Sequence, residues 1–212
     1  MHNHNRGLLI VISGPSGAGK GTICKALLER NPGIQISTSC TTRNPRVGEV
    51  EGINYYFITK DEFKQRIGEE DFIEYAEVYG NFYGTPKSNV EKLLDEGKDV
   101  ILEIDIQGAL KVKENFDDGT FIFILPPSME ELKQRIIRRG SETPESLMTR
   151  FKSAYQELNY ISKYNYAVVN DTVDAAVTKV EGIIAAEKCR VDRIKETILD
   201  SKEGLMHEQL YD

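Results

Sequence analysis

The stretch Gly14-Pro15-Ser16-Gly17-Ala18-Gly19-Lys20-Gly21-Thr22 decides how the rest of the chain is read. A short apolar run, Leu8 to Ile12, precedes it and reads as a buried strand. After it, Ile23, Leu27 and Leu28 share one helical face. Strand, glycine-rich loop, lysine and helix start form the context that a phosphate-binding loop requires. Glycines let successive backbone N–H groups turn inward around phosphate oxygens, where a Cβ would obstruct them. The helix N-terminus adds unpaired N–H groups and a favourable dipole, and Lys20 adds a mobile charge able to follow the β- and γ-phosphates. This loop is therefore expected to bind a nucleoside triphosphate. The strict pattern ends Gly-Lys-Ser/Thr, with the hydroxyl on Mg²⁺, whereas here Gly21 intervenes and Thr22 comes one residue later. Magnesium keeps several waters and leans on substrate phosphates, so that ligand is not obligatory.

Outward from the loop, Asn31-Pro32-Gly33 stops the first helix and Ile34 to Ser37 reads as a short strand. A polar, basic segment follows, Ser39-Cys40-Thr41-Thr42-Arg43-Asn44-Pro45-Arg46, and then Gly48-Glu49-Val50-Glu51-Gly52. Asn54 to Ile58 is β-prone and aromatic, Lys60 to Ile67 is expected to be a short helix opened by Thr59 or Asp61, and Phe72 to Val78 alternates like a strand. Asn81 to Thr85 reads as a turn, and Pro86 to Glu96 as a helix closed by Gly97.

Regular alternation then resumes. Strands are expected over Asp99–Ile104, Thr120–Leu125 and Tyr166–Val169, and helices over Gln107–Phe116, from the Ser128–Glu131 capping box, from Thr143-Pro144 to about Lys163, and over Asp174–Lys188. Strands alternating with helices predict an α/β fold of three layers, α/β/α, around a central parallel sheet. A polar, partly antiparallel insert interrupts it near residues 37–97. Ligands of such a sheet gather outside the carboxyl ends of its strands.

At 212 residues the chain can bury one substantial core, and 40% hydrophobic and 29% charged residues are ordinary for a globular protein. The net charge of −7 argues against non-specific nucleic-acid binding, which needs basic surface. No run is long and apolar enough to suggest a membrane span. Three scattered cysteines, Cys24, Cys40 and Cys189, argue against a disulfide framework and suit a reducing cytoplasm.

Several side chains suggest chemistry. Arg43 and Arg46 flank Pro45 in one turn, either as a solvated basic turn or as two guanidiniums able to grip one phosphate. Tyr55 and Tyr83 offer phenolic donors, or simply packing. Glu74 lies among Phe72, Ile73 and Tyr75, either as an outward-facing strand residue or as a pocketed carboxylate able to accept from the adjacent N–H and amine of guanine, a donor pair adenine lacks. Glu103 and Asp105 end a buried strand where an acid can hold Mg²⁺, while one of them is equally placed to cap the next helix. Arg135, Arg139 and Arg150 flank a hinge-like loop, as arginines that close over a transferring phosphoryl group do.

Taken together these motifs resemble the guanylate kinases, over roughly Leu8 to Lys188. Those that carry the resemblance are Ser13 through Thr22, Thr41-Thr42-Arg43-Asn44-Pro45-Arg46 with Gly48-Glu49, Phe72-Ile73-Glu74, Gly80 to Thr85, Ile104-Asp105-Ile106-Gln107-Gly108, and Arg138-Arg139-Gly140. The Gly-Lys-Gly-Thr ending is likewise familiar among nucleoside monophosphate kinases. The resemblance implies Mg²⁺-dependent phosphoryl transfer from ATP to GMP or dGMP. It implies that Ser39, Glu74 and Thr85 read the guanine, and that Arg43, Arg46, Tyr55 and Tyr83 hold its phosphate. Glu103 and Asp105 match the acidic pair near nucleotides and metal, Asp105 through water, with Glu103 standing where relatives carry Asp. Lys20, Arg135, Arg139 and Arg150 would serve the transferring group, and Asn170 would lie beside the adenine. The implied architecture is a core (7–36, 98–125, 156–188), a GMP-binding insert (37–97), a helical lid (126–155), and a charged helical tail (189–212). A non-catalytic relative of this fold would lack the loop lysine or acceptor-site residues, yet Lys20, Arg43, Arg46 and Glu74 are all present. The sequence leaves monomer and homo-oligomer open.

Overall fold

The computed structural model describes residues 6–78, 80–138 and 144–194; within the helices, the side chains of Arg138, 144–147, 149 and 150 lie outside the description. A five-stranded, wholly parallel sheet forms the centre, in the order β2 (Ile34–Ile36), β7 (Asp99–Glu103), β1 (Leu9–Ser13), β8 (Thr120–Leu125), β9 (Tyr166–Val169). Strands buried on both faces must be apolar on both, which is why β1 and β8 read as unbroken hydrophobic runs. Leu8, Ile10 and Ile12 point to one face. There they meet Ile23, Cys24 and Leu27 of α1 (Lys20–Arg30), and Val177, Val180 and Ile184 of α7 (Val173–Lys188). Leu9 and Val11 point to the other face, against α3 (Lys87–Asp95) and α4 (Ile106–Asn115). Helix layers thus cover both faces of the sheet.

A second sheet, in the order β4 (Tyr56–Phe57), β3 (Cys40–Thr41), β6 (Asn81–Pro86), β5 (Phe72–Val78), builds the insert. β3 runs antiparallel to β6, and β6 to β5. Asn81–Thr85, expected as a turn, is therefore a strand: its aromatic and polar residues alternate against β5 and close a hairpin, which local turn propensity does not reveal. α2 (Lys60–Gly68) opens on a full capping box, Thr59 accepting from the Glu62 N–H while Glu62 accepts from the Thr59 N–H. Its Phe63 is fully buried between the rings of Phe72 (4.5 Å) and Phe82 (5.3 Å), a burial that stabilises the insert by about 1.5–3 kcal/mol.

Two contacts tie insert and core together. α3, grouped with the insert on sequence, packs through Val90 and Leu94 on Leu9, Val11 and Val100 of the core sheet. Ile73 of β5 joins the same cluster as Ala109 and Val112 of α4. A register shift between Phe72 and Glu74 makes Ile73 an extra residue in the ladder, so Ile73 and Glu74 are buried in succession.

α5 (Met129–Arg138) starts where Ser128 accepts from the Glu131 N–H; the Glu131 carboxylate then pairs with Arg135 at 2.9 Å. α6 (Pro144–Glu157) ends before Lys163, giving way to a 3-10 turn over Leu158–Lys163. The expected helical tail lies outside the described residues from 195 onward. Among the described residues no helix is long and apolar enough to cross a membrane.

Candidate active site

The glycine-rich loop leaves β1 between β7 and β8, at the carboxyl edge of the sheet, and runs directly into α1, whose first residue is Lys20. Gly19 takes φ 93°, a left-handed conformation costly for other residues, and a Cβ there would collide with the Asn170 amide. Lys20 Nζ bends back to donate to the carbonyls of Gly14 (2.5 Å) and Pro15 (3.3 Å). Buried Asn170 donates from Nδ2 to the Ala18 carbonyl at 2.8 Å. Arg135 reaches the Ala18 carbonyl (3.4 Å) and that of Asn170 (3.2 Å). Asn170 and Arg135 thus brace the loop from behind.

In the insert, Glu74 is 6% exposed and accepts a hydrogen bond from Thr85 Oγ1 at 2.7 Å, and the Ser39 hydroxyl stands 3.5 Å from that of Thr85. Burial pushes the Glu74 carboxyl up to about 7; the Thr85 hydroxyl opposes the shift, Asp105 adds to it and Lys111 opposes it. Gly108 allows this arrangement, since a Cβ there would sit 2.6 Å from Glu74 Oε2. Glu74, Ser39, Tyr55 and Tyr83 line one cavity of about 250 Å³ together with Lys20, Glu103 and Asp105. The loop lysine and the buried Glu74 carboxylate therefore face one space.

Known proteins match this arrangement. The family model described as guanylate kinase matches residues 6–187. A guanylate kinase of Clostridium perfringens strain SM101 is 78% identical over 212 residues, covering all of this chain and 98% of that protein. One from Clostridium tetani is 72% identical over 207 residues, 98% of this chain and 99% of that protein. The chain belongs to the guanylate kinase family. The crystal structure of guanylate kinase from Anaplasma phagocytophilum superposes with a TM-score of 0.78 at 35% identity, covering 94% of this chain and 97% of that one.

Within this family frame the structure brings most of the expected residues together and redefines several. Arg43 does not lie open to solvent: it forms a bidentate pair with Glu49, both bonds 2.6 Å, and its guanidinium carbon stands 4.9 Å from the Tyr55 ring. The side chain of Arg46 is exposed, and its backbone N–H donates to Glu49. The Tyr55 and Tyr83 rings meet edge to face at 6.0 Å. Asp105 is the N-cap of α4, Oδ1 accepting the Gly108 N–H at 2.8 Å, so the cap and metal readings of this residue draw on the same carboxylate. Glu103 lies against the start of α1, where a Cβ on Gly21 would stand 3.3 Å from its Oε1, and Thr22 beside it is exposed. Asn170, expected beside the adenine, gives its amide to the loop backbone at Ala18, as a buried amide must find a partner. Arg139 and the side chain of Arg150 lie outside the described residues.

Two residues carry more than sequence reasoning gave them. Glu49 stands in the recognised motif, six residues after Arg43, a distance a tight turn closes. Glu157, at the end of α6, is raised by burial while the Lys20 charge and the Ser16 N–H oppose the shift, so it faces the loop; no local pattern marks it.

Proposed function

We infer that this enzyme transfers the γ-phosphoryl group of ATP to GMP, and also to dGMP, giving ADP and the corresponding diphosphate. The observation that carries the reading is the cavity shared by Lys20 and the buried Glu74. The attacking group is itself a phosphate oxygen, so no general base is needed; the chain positions two nucleotides and neutralises charge between them. The backbone of Gly14 to Thr22 receives the ATP phosphates, and Lys20 leaves the Gly14 and Pro15 carbonyls to follow the γ-phosphate. Arg43, Arg46, Tyr55 and Tyr83 hold the GMP phosphate; Ser39, Thr85 and ionised Glu74 read the base. Arg135, Arg139 and Arg150 of the lid (126–155) serve the transferring group as lid and insert close and exclude water.

The donor chemistry near β7 suits Mg²⁺. Glu103, Asp105 and Thr22 offer hard oxygens, yet no cluster of three or more His, Cys, Asp or Glu side chains stands among the described residues. That is too sparse for an all-protein cage; a cation here would lean on the nucleotide phosphates, with Asp105 able to reach it through water. When bound it neutralises charge on the β- and γ-phosphate oxygens. Three unpaired cysteines fit a cytoplasmic setting.

The test is ADP release with Mg·ATP and a panel of GMP, dGMP, AMP, CMP, UMP and dTMP. Turnover confined to GMP and dGMP is expected; comparable turnover with any other acceptor would remove guanine recognition from the account.

A further inference from the structure

Arg43 is fixed on three sides. Its Nη1 and Nη2 each donate to one oxygen of Glu49 at 2.6 Å, and Nη1 also donates to the Asn44 carbonyl at 2.9 Å. Tyr55 and Phe57 lie 4.9 and 5.6 Å from its guanidinium carbon, and only 11% of the side chain is exposed. These contacts consume the end of the fork and one flank. The remaining edge, Nε with the second Nη2 hydrogen, has no partner among the described residues, and it is an edge whose parallel N–H bonds match two phosphate oxygens.

We propose that Glu49 is a positioning residue for the acceptor phosphate: it grips Arg43 end-on and thereby presents the Nε–Nη2 edge to GMP. This rests on the reading of Arg43 as a phosphate ligand. An unrestrained arginine loses rotamer freedom when it binds; here that freedom is lost on folding instead. The same carboxylate accepts the Arg46 N–H at 2.8 Å, so one side chain sets the turn carrying both arginines. Glu49 also carries a countervailing effect, since a negative charge beside a phosphate site repels the ligand. The bond from Arg43 is the main reason its carboxyl is held down at about 2, so the charge is present throughout the working pH range. Positioning and repulsion have opposite signs in a mutant, which makes the proposal decidable.

The experiment is steady-state kinetics, with GMP and ATP varied separately, on the wild type, Glu49→Gln, Glu49→Asp, Arg43→Gln and the Glu49→Gln/Arg43→Gln double variant. Thermal melts run alongside. Positioning predicts that Glu49→Gln raises KM for GMP about tenfold, with kcat and the ATP KM within about twofold, and that in the Arg43→Gln background it adds less than about twofold. Glu49→Asp, keeping the charge with a shorter reach, should fall between. A lowered GMP KM in Glu49→Gln would identify the carboxylate as a repulsive damper and overturn the proposal, as would an undiminished effect in the Arg43→Gln background. If Arg43→Gln itself leaves the GMP KM unchanged, the phosphate reading of Arg43 fails first, a result separate from failure of the Glu49 role. Should Glu49→Gln fail to fold, Glu49→Asp carries the same comparison.

Discussion

The two halves of the site are built from different materials. The side proposed for ATP is mostly backbone: consecutive residues 14–22, a glycine at φ 93° and one lysine, braced by Asn170 and Arg135. The side proposed for GMP is mostly side chains, gathered from β5, β6 and the segment around β3 onto one mixed sheet. The first gains its charge stabilisation from N–H groups that folding has already oriented. The second buries a carboxylate and must satisfy it through partners distant in sequence. Damage on one side should therefore leave the other readable.

The largest separation is expected from Lys20→Met. Removing the mobile charge should cut kcat by roughly 1000-fold, at the upper end for loss of one transition-state donor, while GMP binding by calorimetry stays near wild type. A parallel loss of GMP affinity would mean the halves are not separable. Glu74→Gln should lower kcat/KM for GMP by about 100-fold, as for a hydrogen bond to a charged group, with the ATP KM unchanged. Equal loss with every acceptor would end its role as the base reader. Gly108→Ala, whose new Cβ would press on Glu74 Oε2, should raise the GMP KM by about 20-fold. Because Gly108 lies on a core helix, a change in ATP KM there would blur the division instead.

The smallest effect is pH dependence. An unfolded Glu74 ionises near 4.5, whereas the folded one ionises near about 7. Within that window the folded state holds the extra proton, so Glu74 takes stability away as pH rises through it, opposite to an ion-paired carboxylate. If, as proposed, ionised Glu74 reads the base, the KM for GMP should fall by up to about tenfold between roughly pH 6 and pH 8. Glu74→Gln should flatten that slope, leaving only the contribution of the GMP phosphate itself.

Legibility in the sequence follows the same division. The loop, the parallel sheet and the strands Thr120–Leu125 and Tyr166–Val169 can be read directly, because their signals are contiguous apolar runs and glycine spacing. On the other side Glu74 is singled out by its apolar neighbours, whereas Ser39 and Thr85 acquire roles only through family resemblance; 46 residues separate them, and no local pattern announces a pairing across a sheet. Asn81–Thr85 looks like a turn in isolation because its partner strand, not its own composition, makes it β. Asn170 is legible in place, at the end of the last core strand, but its bond to the Ala18 carbonyl is not, because loop and strand meet only in the fold.

The extra residue in β5 has one more consequence. A strand is a two-beat alternation, and Ile73 resets its phase in mid-course. Before the reset the beat addresses the insert's aromatic cluster; at it, one side chain is handed to the core and the next to the ligand cavity. A single strand thus anchors the insert to the core and lines the cavity, and one extra residue keeps the two duties apart. Deleting Ile73 would leave Phe72 opposite Pro86 and Glu74 opposite Thr85, yet remove the side chain by which the strand joins the core cluster.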